Sequence, residues 1–516
     1  MPKLPGFATP EATKAYADTC WRVNPTVRPN SWRVSEGLTH GKIGFGTYRL
    51  SGTPTQRAAL RQALTHGVNL IDGSRNYVGG QAEVVVGEVL ADLVHSGNLQ
   101  REAVILCTKA GYIQGQLYDQ LQATPPAEVV RFADGLWHCL HPDFLATQLA
   151  ASREALGVET IDFFLLHNPE YFLQWCAQPA DPFTPTTAAR PADLATARQQ
   201  FYQRLTQAFV FCEQAAQRGE IQYYGISSNT LVSPASATDF VDLNQVYAAA
   251  DAAAQQAWGR KKRPLFRIVQ CPLNLLELGA LKEPNHTVQD LSFTPATTCG
   301  VLEVAAARHL TVLTNRPLNA FGQNGAALRL ANAANPQATA DLTAAAEALT
   351  DVEATLEVAL GTWPTTTAGE PLLRFGQLSA QLATALESSL HFDHLQGNLF
   401  FPYIAAVATA ARQQGQTPLA QAYVTAAQAW LEALRGVARQ ADTTATQPLY
   451  AELRQRLSPW PAWAEAPLQQ VALNAVASIP GVSCVLCGLR QASYLDDVLA
   501  VYQKGDFPDP AQVVGA

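Results

Sequence analysis

The stretch IDFFLLHNPE at residues 161–170 is a continuous apolar run that ends in a histidine, and it decides the fold. Similar runs end in chemically useful residues in NLIDGSRNY at 69–77 and in VILCTKAGY at 104–112. Runs that are apolar throughout, rather than alternating, are typical of parallel strands buried on both faces. In a β/α barrel, the carboxyl ends of such strands carry the functional side chains. These stretches therefore predict a barrel with a site at one rim.

Five further apolar runs complete the pattern. The predicted strands lie at 42–48, 69–72, 103–108, 160–166, 221–227, 267–271, 310–314 and 482–488. Helical stretches separate them, for example at 54–65, 81–94, 143–156, 199–218 and 469–478. Eight strands that alternate with helices predict an α/β fold, a closed (β/α)8 TIM barrel.

The seventh and eighth predicted strands are much farther apart than a barrel requires, since one helix and two short loops are enough. The intervening residues contain stretches at helical spacing, at 339–360, 377–390, 400–414, 417–440 and 448–457. They predict an inserted α-helical subdomain, whose aromatic stretch 391–407 is expected to be mostly buried. The predicted domains are an N-terminal extension (1–37), barrel strands 1–7 (38–324), the helical insertion (325–462), and the last helix, strand and helix with a tail (463–516).

Composition narrows the class of function. The chain is 48% hydrophobic and 15% charged, with no apolar run approaching about 18 residues, so a soluble protein is expected. A net charge of -8 without a basic block argues against nucleic acid or a membrane as the partner. No signal-peptide pattern is visible at the start, and nine cysteines lack a disulfide spacing. These features predict a cytoplasmic protein that acts on a small molecule.

The ordered motifs of the chain are GFGTYR (44–49), NLIDGSRNY (69–77), GGQAEVVVGEVL (79–90), TK (108–109), DFFLLHNPE (162–170), GEIQYYGISSN (219–229) and GLR (488–490). Together they resemble the motifs of the aldo-keto reductases, a family of NAD(P)H-dependent carbonyl reductases built on this barrel. The resemblance covers roughly residues 38–322 and 466–503.

The resemblance implies that Asp72, Tyr77, Lys109 and His167 form the catalytic tetrad of the family. Reducing a carbonyl places charge on its oxygen, so a proton donor must lie within hydrogen-bond reach, and Tyr77 is the expected donor. A phenol titrates near about 10. A neighbouring ammonium lowers the pKa of a phenol, which is the role expected of Lys109. Asp72 is expected to hold Lys109 in place, and His167 to orient the carbonyl.

The resemblance also implies NADPH as the cofactor, with NADH as an alternative. Arg490 matches the arginine that meets the 2′-phosphate of NADPH in the family. Asp497 and Val498 stand where the family has a glutamate and an asparagine over the adenine, so weaker adenine recognition is expected. The remaining expected cofactor contacts are Thr47, Ser227, Ser228, Gln270, Asn315, Arg316 and Leu318.

Two of those positions depart from the family. Ser228 stands where asparagine is usual, which keeps hydrogen bonding but alters its reach. After the seventh strand the family has a stacking aromatic residue, and this chain has Asn315 and Arg316 instead. Arg316 either binds the pyrophosphate as a bidentate partner or is a loop arginine without that contact.

Aromatic residues that follow strand ends are predicted to wall an apolar substrate pocket, although they would also fit a role in plugging the barrel rim. They are Tyr48, Tyr112, Trp137 and Trp175. Cys484 and Cys487 point to opposite faces of one strand, so they are interpreted as core residues. His138 and His141 are interpreted as substrate-loop residues, and no metal is predicted.

The sequence predicts NADPH-dependent reduction of an aldehyde or ketone, or the reverse alcohol oxidation, with Tyr77 as general acid. The alternative is an NADP(H)-binding regulatory or scaffold barrel whose helical insertion binds a partner, because a fold alone does not fix function. The insertion is attached at the rim that carries the chemistry. It is therefore interpreted either as a lid over a bulky substrate or as an interface for a partner or an oligomer.

Overall fold

The computed structural model describes residues 3–178, 190–191, 193–288, 297–321, 327–332, 335–366 and 368–515. The chain divides into two compact units. Unit 1 comprises Met1–Pro317 and Gln470–Ala516, and unit 2 comprises Leu318–Gln469. None of the helices within the described residues is both long and apolar enough to cross a membrane.

Eight parallel strands close into a barrel in unit 1, as the sequence predicted. They are β1 (Ile43–Gly46), β2 (Leu70–Asp72), β3 (Ile105–Ala110), β4 (Ile161–His167), β5 (Ile221–Ser227), β6 (Phe266–Pro272), β7 (Thr311–Asn315) and β8 (Cys484–Cys487). Each strand pairs with its sequence neighbours, and β8 pairs with β1. The strands are almost wholly buried because helices cover their outer faces and side chains fill the interior.

The principal helices of unit 1 are Pro10–Val23, Pro54–Thr65, Gln81–His95, Pro142–Ala155, Leu194–Gln217, Leu243–Trp258, Val301–Ala307, Leu468–Ser478, whose first two residues fall in unit 2, and Ala492–Lys504. Shorter helices lie at Gln116–Leu121, Tyr171–Ala177, Gly279–Lys282 and Pro510–Val514. Several begin as their sequence indicates. Thr53, for example, accepts a hydrogen bond from the amide of Gln56, and Pro54 occupies the first turn, where its missing N–H has no partner to lose.

The N-terminal extension is part of the barrel core. Ala8 and Leu38 pack in the same apolar cluster as interior residues of the strands, such as Phe163. The backbone amide of Ala8 also donates to the carboxylate of Asp162, which pairs with Arg101 at 2.9 Å inside the fold. A hairpin of Trp32–Ser35 and Leu38–Gly41 follows the first helix. The predicted N-terminal extension, residues 1–37, thus contributes Ala8 to the apolar core of the barrel.

Two small sheets extend the loops of unit 1. An antiparallel sheet, the accessory sheet, lies in the chain between β3 and the helix Pro142–Ala155. Its strands are Tyr112–Gln114, Val130–Ala133 and Leu136–His138. Strands His286–Val288 and Thr297–Cys299 pair in the segment between β6 and β7, of which residues 289–296 lie outside the described residues.

Unit 2 is helical around its own apolar core, which includes Phe375, Phe392, Phe400 and Trp430. Its helices are Ala338–Leu360, Phe375–Ala385, Ser389–Leu395, Phe401–Gln413, Thr417–Arg456 and Pro461–Ala464, with a π-helical turn at Gln396–Phe400. A short hairpin pairs Asn319–Phe321 with Ala327–Arg329.

Two expectations about this helical region were wrong in detail. The predicted helices 417–440 and 448–457 form one helix, Thr417–Arg456, which continues through Pro448. Thr446 and Leu453, on either side of Pro448, are both buried, so packing stabilises the helix across the hydrogen bond that proline cannot make. The stretch 391–407 is not mostly buried. Phe392 and Phe400 are fully buried, whereas Phe401 is 51% exposed, since only one face of a surface helix meets the core.

Candidate active site

The carboxyl ends of β2 and β3 bring the charged members of the predicted tetrad together. The ammonium of Lys109 donates to the carboxylate of Asp72 at 2.7 Å and to the carbonyl oxygen of Gly73 at 2.8 Å. It also donates to the hydroxyl of Tyr77 at 3.2 Å. Lys109 is fully buried. A buried ammonium is costly unless it is paired, and here three acceptors surround it.

A strained turn after β2 places the phenol of Tyr77. Val78, Gly79 and Gly80 all adopt left-handed backbone angles, with φ of 51° at Val78 and 91° at Gly80. A Cβ at Gly80 would clash with the guanidinium of Arg75, which pairs with the buried Glu83 at 3.1 Å. The two glycines allow the chain to turn sharply between Tyr77 and the helix that follows.

The protein environment shifts the pKa values of Tyr77, Lys109 and His167. Burial raises the pKa of Tyr77 to about 12 even though the ammonium of Lys109 lowers it. Burial lowers the pKa of Lys109, but the combined effects of Asp72, Tyr77 and Cys107 outweigh burial, so the pKa is raised overall. Burial and the charge of Lys109 hold the pKa of His167 well below its usual range. The expected net lowering at Tyr77 was therefore wrong, because desolvation exceeds the effect of the ammonium.

His167, at the end of β4, lies beside the phenol. Its ring and the ring of Tyr77 are 5.9 Å apart in an edge-to-face arrangement. Its Nδ1 and the hydroxyl of Ser74 are 3.0 Å apart. A second histidine, His138, contacts the backbone carbonyl oxygen of His167 through Nε2 at 2.7 Å. A carbonyl only accepts and burial lowers the pKa of His138 to about 4, so neutral His138 donates from Nε2.

A hydrogen-bond chain joins several predicted cofactor contacts to Asp72. The hydroxyl of Ser227 donates to the amide oxygen of Gln270 at 3.0 Å, and the Gln270 nitrogen donates to Asp72 at 2.9 Å. Asn315 donates to the same Gln270 oxygen at 3.3 Å. Thr47 donates to the backbone oxygen of Asp72 at 3.0 Å. These residues lie at the same rim as the tetrad. The remaining member of the group is Ser228, whose amide donates to the backbone oxygen of Gln270.

The other predicted cofactor contacts are not gathered at this point. Arg316 has a left-handed φ of 56° and pairs with Glu277 at 2.9 Å. Leu318 is the first residue of unit 2. Arg490 is partly exposed in the segment that joins β8 to the helix Ala492–Lys504.

Of the two residues that replace the expected adenine contacts, Asp497 is partly exposed and Val498 is buried. Asp497 accepts a hydrogen bond from Gln470 at 2.8 Å, and Val498 is fully buried. Burial of Val498 counts against a contact of this residue with an adenine that binds from solvent.

The predicted pocket aromatics divide into two pairs. The rings of Tyr48 and Tyr77 are 5.1 Å apart, and the rings of Tyr112 and His167 are 4.7 Å apart, so Tyr48 and Tyr112 flank the tetrad. Trp137 packs within the accessory sheet, in the cluster of Ile113 and Phe144. Trp175 is buried beneath the guanidinium of Arg190 at 4.8 Å. These contacts count against a pocket role for the two tryptophans.

Sequence reasoning missed several residues that support the site. Ser74, Asn76 and Gln114 form a hydrogen-bond chain to His167. Glu170 is buried with its pKa raised to about 7 by burial, and it accepts a hydrogen bond from the amide of Asn229 at 2.7 Å. Ser74 and Glu170 each lie within three residues of a predicted tetrad residue, which was the available signal. Their partners come from other loops and were not readable.

The residues considered for metal binding do not form a metal site. Cys484 and Cys487 are buried in β8. His138 makes the carbonyl contact already described, and His141 caps the helix Pro142–Ala155. Within the part of the chain that the structure describes, no group of three or more His, Cys, Asp or Glu side chains is suited to hold a metal ion.

Comparisons with known proteins bear on the barrel segment. Residues 42–262 match the family model described as Aldo/keto reductase family. An Escherichia coli K12 protein named NADH-specific methylglyoxal reductase is 28% identical over 142 residues, which is 25% of this chain and 39% of that protein. Aldose reductase B of Dictyostelium discoideum is 25% identical over 160 residues, 31% of this chain and 40% of that protein. This chain therefore spans about two fifths of the length of these relatives.

Solved structures of low sequence identity also match. An aldo-keto reductase from Bacillus halodurans in its holo form is 14% identical with a TM-score of 0.42, covering 94% of this chain and 95% of that chain. An aldo/keto reductase from Klebsiella pneumoniae, in complex with NADP and acetate, is 17% identical with a TM-score of 0.31, covering 56% of this chain and 68% of that chain.

Proposed function

We propose that this chain is an NADPH-dependent carbonyl reductase, because residues 42–262 match the family model described as Aldo/keto reductase family. The proposed reaction reduces an aldehyde or ketone to an alcohol, or runs in reverse. The observation that carries the proposal is the contact of a buried, paired Lys109 with the hydroxyl of Tyr77 at 3.2 Å. NADH remains the alternative cofactor, and the relative from Escherichia coli is named as NADH-specific.

The residues at the barrel rim fit a nicotinamide. The amide oxygen of Asn315 is buried with no hydrogen-bond partner among the described residues. Buried polar atoms are rarely left unsatisfied, so this oxygen is suited to accept from the carboxamide NH2 of a nicotinamide. Ser227 and Gln270 lie next to it and would hold the same group. When bound, the reduced cofactor supplies the hydride.

Tyr77 supplies the proton in the proposed mechanism. Its oxygen accepts a hydrogen bond from Lys109, so its own O–H is free to donate to the carbonyl oxygen of the substrate. With a pKa raised to about 12 by burial, the phenol stays protonated at neutral pH. Lys109 stabilises the phenolate that forms as the proton leaves, and Asp72 keeps the lysine charged and in place. His167 is neutral and donates one ring N–H to the same carbonyl oxygen.

The test is turnover of the full chain with NADPH against a panel of aldehydes, ketones and sugars, followed by the loss of reduced-nicotinamide absorbance. The same assay with Tyr77→Phe separates catalysis by this site from background reduction. Turnover that depends on Tyr77 is the expected result. A protein that binds NADPH but reduces none of these substrates would instead favour the alternative of a regulatory or scaffold barrel.

A further inference from the structure

The neutral ring of His167 carries one proton, which can lie on either nitrogen. Its Nδ1 is 3.0 Å from the hydroxyl oxygen of Ser74, which leaves Nε2 to face a substrate carbonyl. To donate from Nε2, the ring must accept a hydrogen bond at Nδ1. Ser74 therefore has to donate its only proton to His167.

Ser74 has other acceptors within reach. Ser74 is buried and lies in the short segment of chain between β2 and Tyr77. Its hydroxyl oxygen is 2.6 Å from Asn76 Oδ1 and 3.3 Å from the backbone oxygen of Lys109. If the proton goes to Asn76, the serine oxygen can only accept from the histidine. His167 would then carry its proton on Nδ1 and offer a lone pair to the carbonyl, which repels it. The direction of the Ser74–Asn76 bond thus decides whether His167 can polarise a substrate.

The chain continues to the surface. Asn76 Nδ2 is 3.1 Å from Oε1 of Gln114, a side chain exposed on the accessory sheet. A half-turn of each amide about its terminal bond exchanges oxygen and NH2 at almost the same positions. In the reversed direction Gln114 donates to Asn76, Asn76 donates to Ser74, and Ser74 donates to His167. Gln114 can meet water in either orientation, so reversal leaves no buried group unpaired.

We propose that Ser74 is a positioning residue that sets the tautomer of His167, and that the chain Gln114–Asn76–Ser74–His167 donates toward the histidine in the working protein. Its kinetic consequence rests on the proposed reduction of a carbonyl, whereas the tautomer itself can be observed without turnover. Asn76 is the control point because its amide can both donate to Ser74 and accept from Gln114.

Two variants of nearly opposite effect test the proposal. Asn76→Asp places an acceptor-only carboxylate beside Ser74, which draws the serine proton away and fixes His167 with its proton on Nδ1. Asn76→Ala removes the competing acceptor and leaves the serine proton for His167. Nitrogen-15 NMR of the imidazoles distinguishes the two tautomers, and the signal of His167 is identified by its loss in His167→Gln. We expect Nε2–H in the wild type and in Asn76→Ala, and Nδ1–H in Asn76→Asp.

The kinetic test compares kcat and the affinity for NADPH between Asn76→Asp and Asn76→Ala. Loss of one donor to a developing oxyanion costs on the order of 10² to 10³ in kcat. Asn76→Asp should therefore fall at least about 10²-fold below Asn76→Ala, with similar affinity for NADPH. The added charge is controlled by the double variant Ser74→Ala/Asn76→Asp. Without the serine hydroxyl, the carboxylate should no longer change the tautomer relative to Ser74→Ala alone.

The outcomes are distinct. A wild-type His167 protonated on Nδ1, or an Asn76→Asp variant that keeps Nε2–H, would overturn the proposal. An effect of Asn76→Asp that persists without Ser74 would also overturn it, because the carboxylate would then act through its charge. If the NMR pattern holds while the wild type reduces no carbonyl, the tautomer control stands and the proposed function fails.

Discussion

The phenol of Tyr77 is the most direct target for a test of the proposed chemistry. Tyr77→Phe removes one oxygen and keeps the ring, whose contacts with Tyr48 and His167 at 5.1 and 5.9 Å do not require the hydroxyl. Loss of a general acid costs about 10² to 10⁴ in rate. At about 1.36 kcal/mol for each factor of ten, that is roughly 2.7 to 5.5 kcal/mol of transition-state stabilisation. Affinity for NADPH should change little, since the hydroxyl acts on the carbonyl oxygen.

The fold should survive the change. Lys109 loses the longest of its three hydrogen bonds and keeps those to Asp72 and Gly73 at 2.7 and 2.8 Å. A hydrogen bond to a charged group contributes about 1.5 to 3 kcal/mol. That is less than the roughly 5 to 15 kcal/mol by which folded proteins are stable. A loss of turnover would therefore reflect the chemistry rather than unfolding.

The assay measures kcat and KM for the most active carbonyl, together with NADPH binding by fluorescence titration. Tyr202→Phe is the matched control, because it removes a phenol hydroxyl that accepts from the amide of Asp242 at 3.0 Å on a different part of the unit. We expect the control to retain wild-type kinetics. Wild-type turnover in Tyr77→Phe would refute the tetrad assignment, and equal losses in both variants would point to a general effect on folding.

Four further outcomes are expected. Arg490→Ala should weaken NADPH binding by roughly 10- to 150-fold and leave NADH nearly unchanged, because a charge-assisted contact to the 2′-phosphate is worth about 1.5 to 3 kcal/mol; equal weakening in titrations of both would remove Arg490 from that role. Asp72→Asn should lower the free energy of unfolding in urea by about 3 to 5 kcal/mol by leaving Lys109 buried without its carboxylate. Asp18→Asn in the exposed pair with Lys14 should cost less than about 1 kcal/mol, and similar costs for both would contradict the reasoning. Because burial raises the pKa of Tyr77 to about 12, kcat for reduction should stay constant through neutral pH and fall only in strongly alkaline solution as the proton donor is lost; a pH profile falling near neutrality would count against Tyr77. Replacing residues 325–462 with a short Gly-Ser linker should leave a folded barrel that binds NADPH, since unit 2 has its own apolar core; a deletion that yields only insoluble chain would contradict this.

The sequence predicted the barrel because eight apolar runs carry the pattern of parallel strands, and all eight form the barrel. It placed Asp72, Lys109 and His167 at strand ends, where the register of the sheet brings them to one rim. The sequence predicted the helical region between β7 and β8 less accurately. Two helices were predicted at 417–440 and 448–457 where the structure has one, Thr417–Arg456, and the stretch 391–407, expected to be mostly buried, includes the exposed Phe401.

The amino-acid sequence by itself determined the strand pattern and the chemical types at the strand ends, because apolar periodicity and strand-end placement are local properties of the chain. Only the tertiary structure decided how those groups behave. Burial outweighs the ammonium of Lys109 and raises the pKa of Tyr77, which the spacing of the two residues does not show. The contacts of Ser74 with His167 and of Asn76 with Gln114 join separate loops. Desolvation and long-range hydrogen bonds depend on which distant segments meet, so they exist only once the chain has folded.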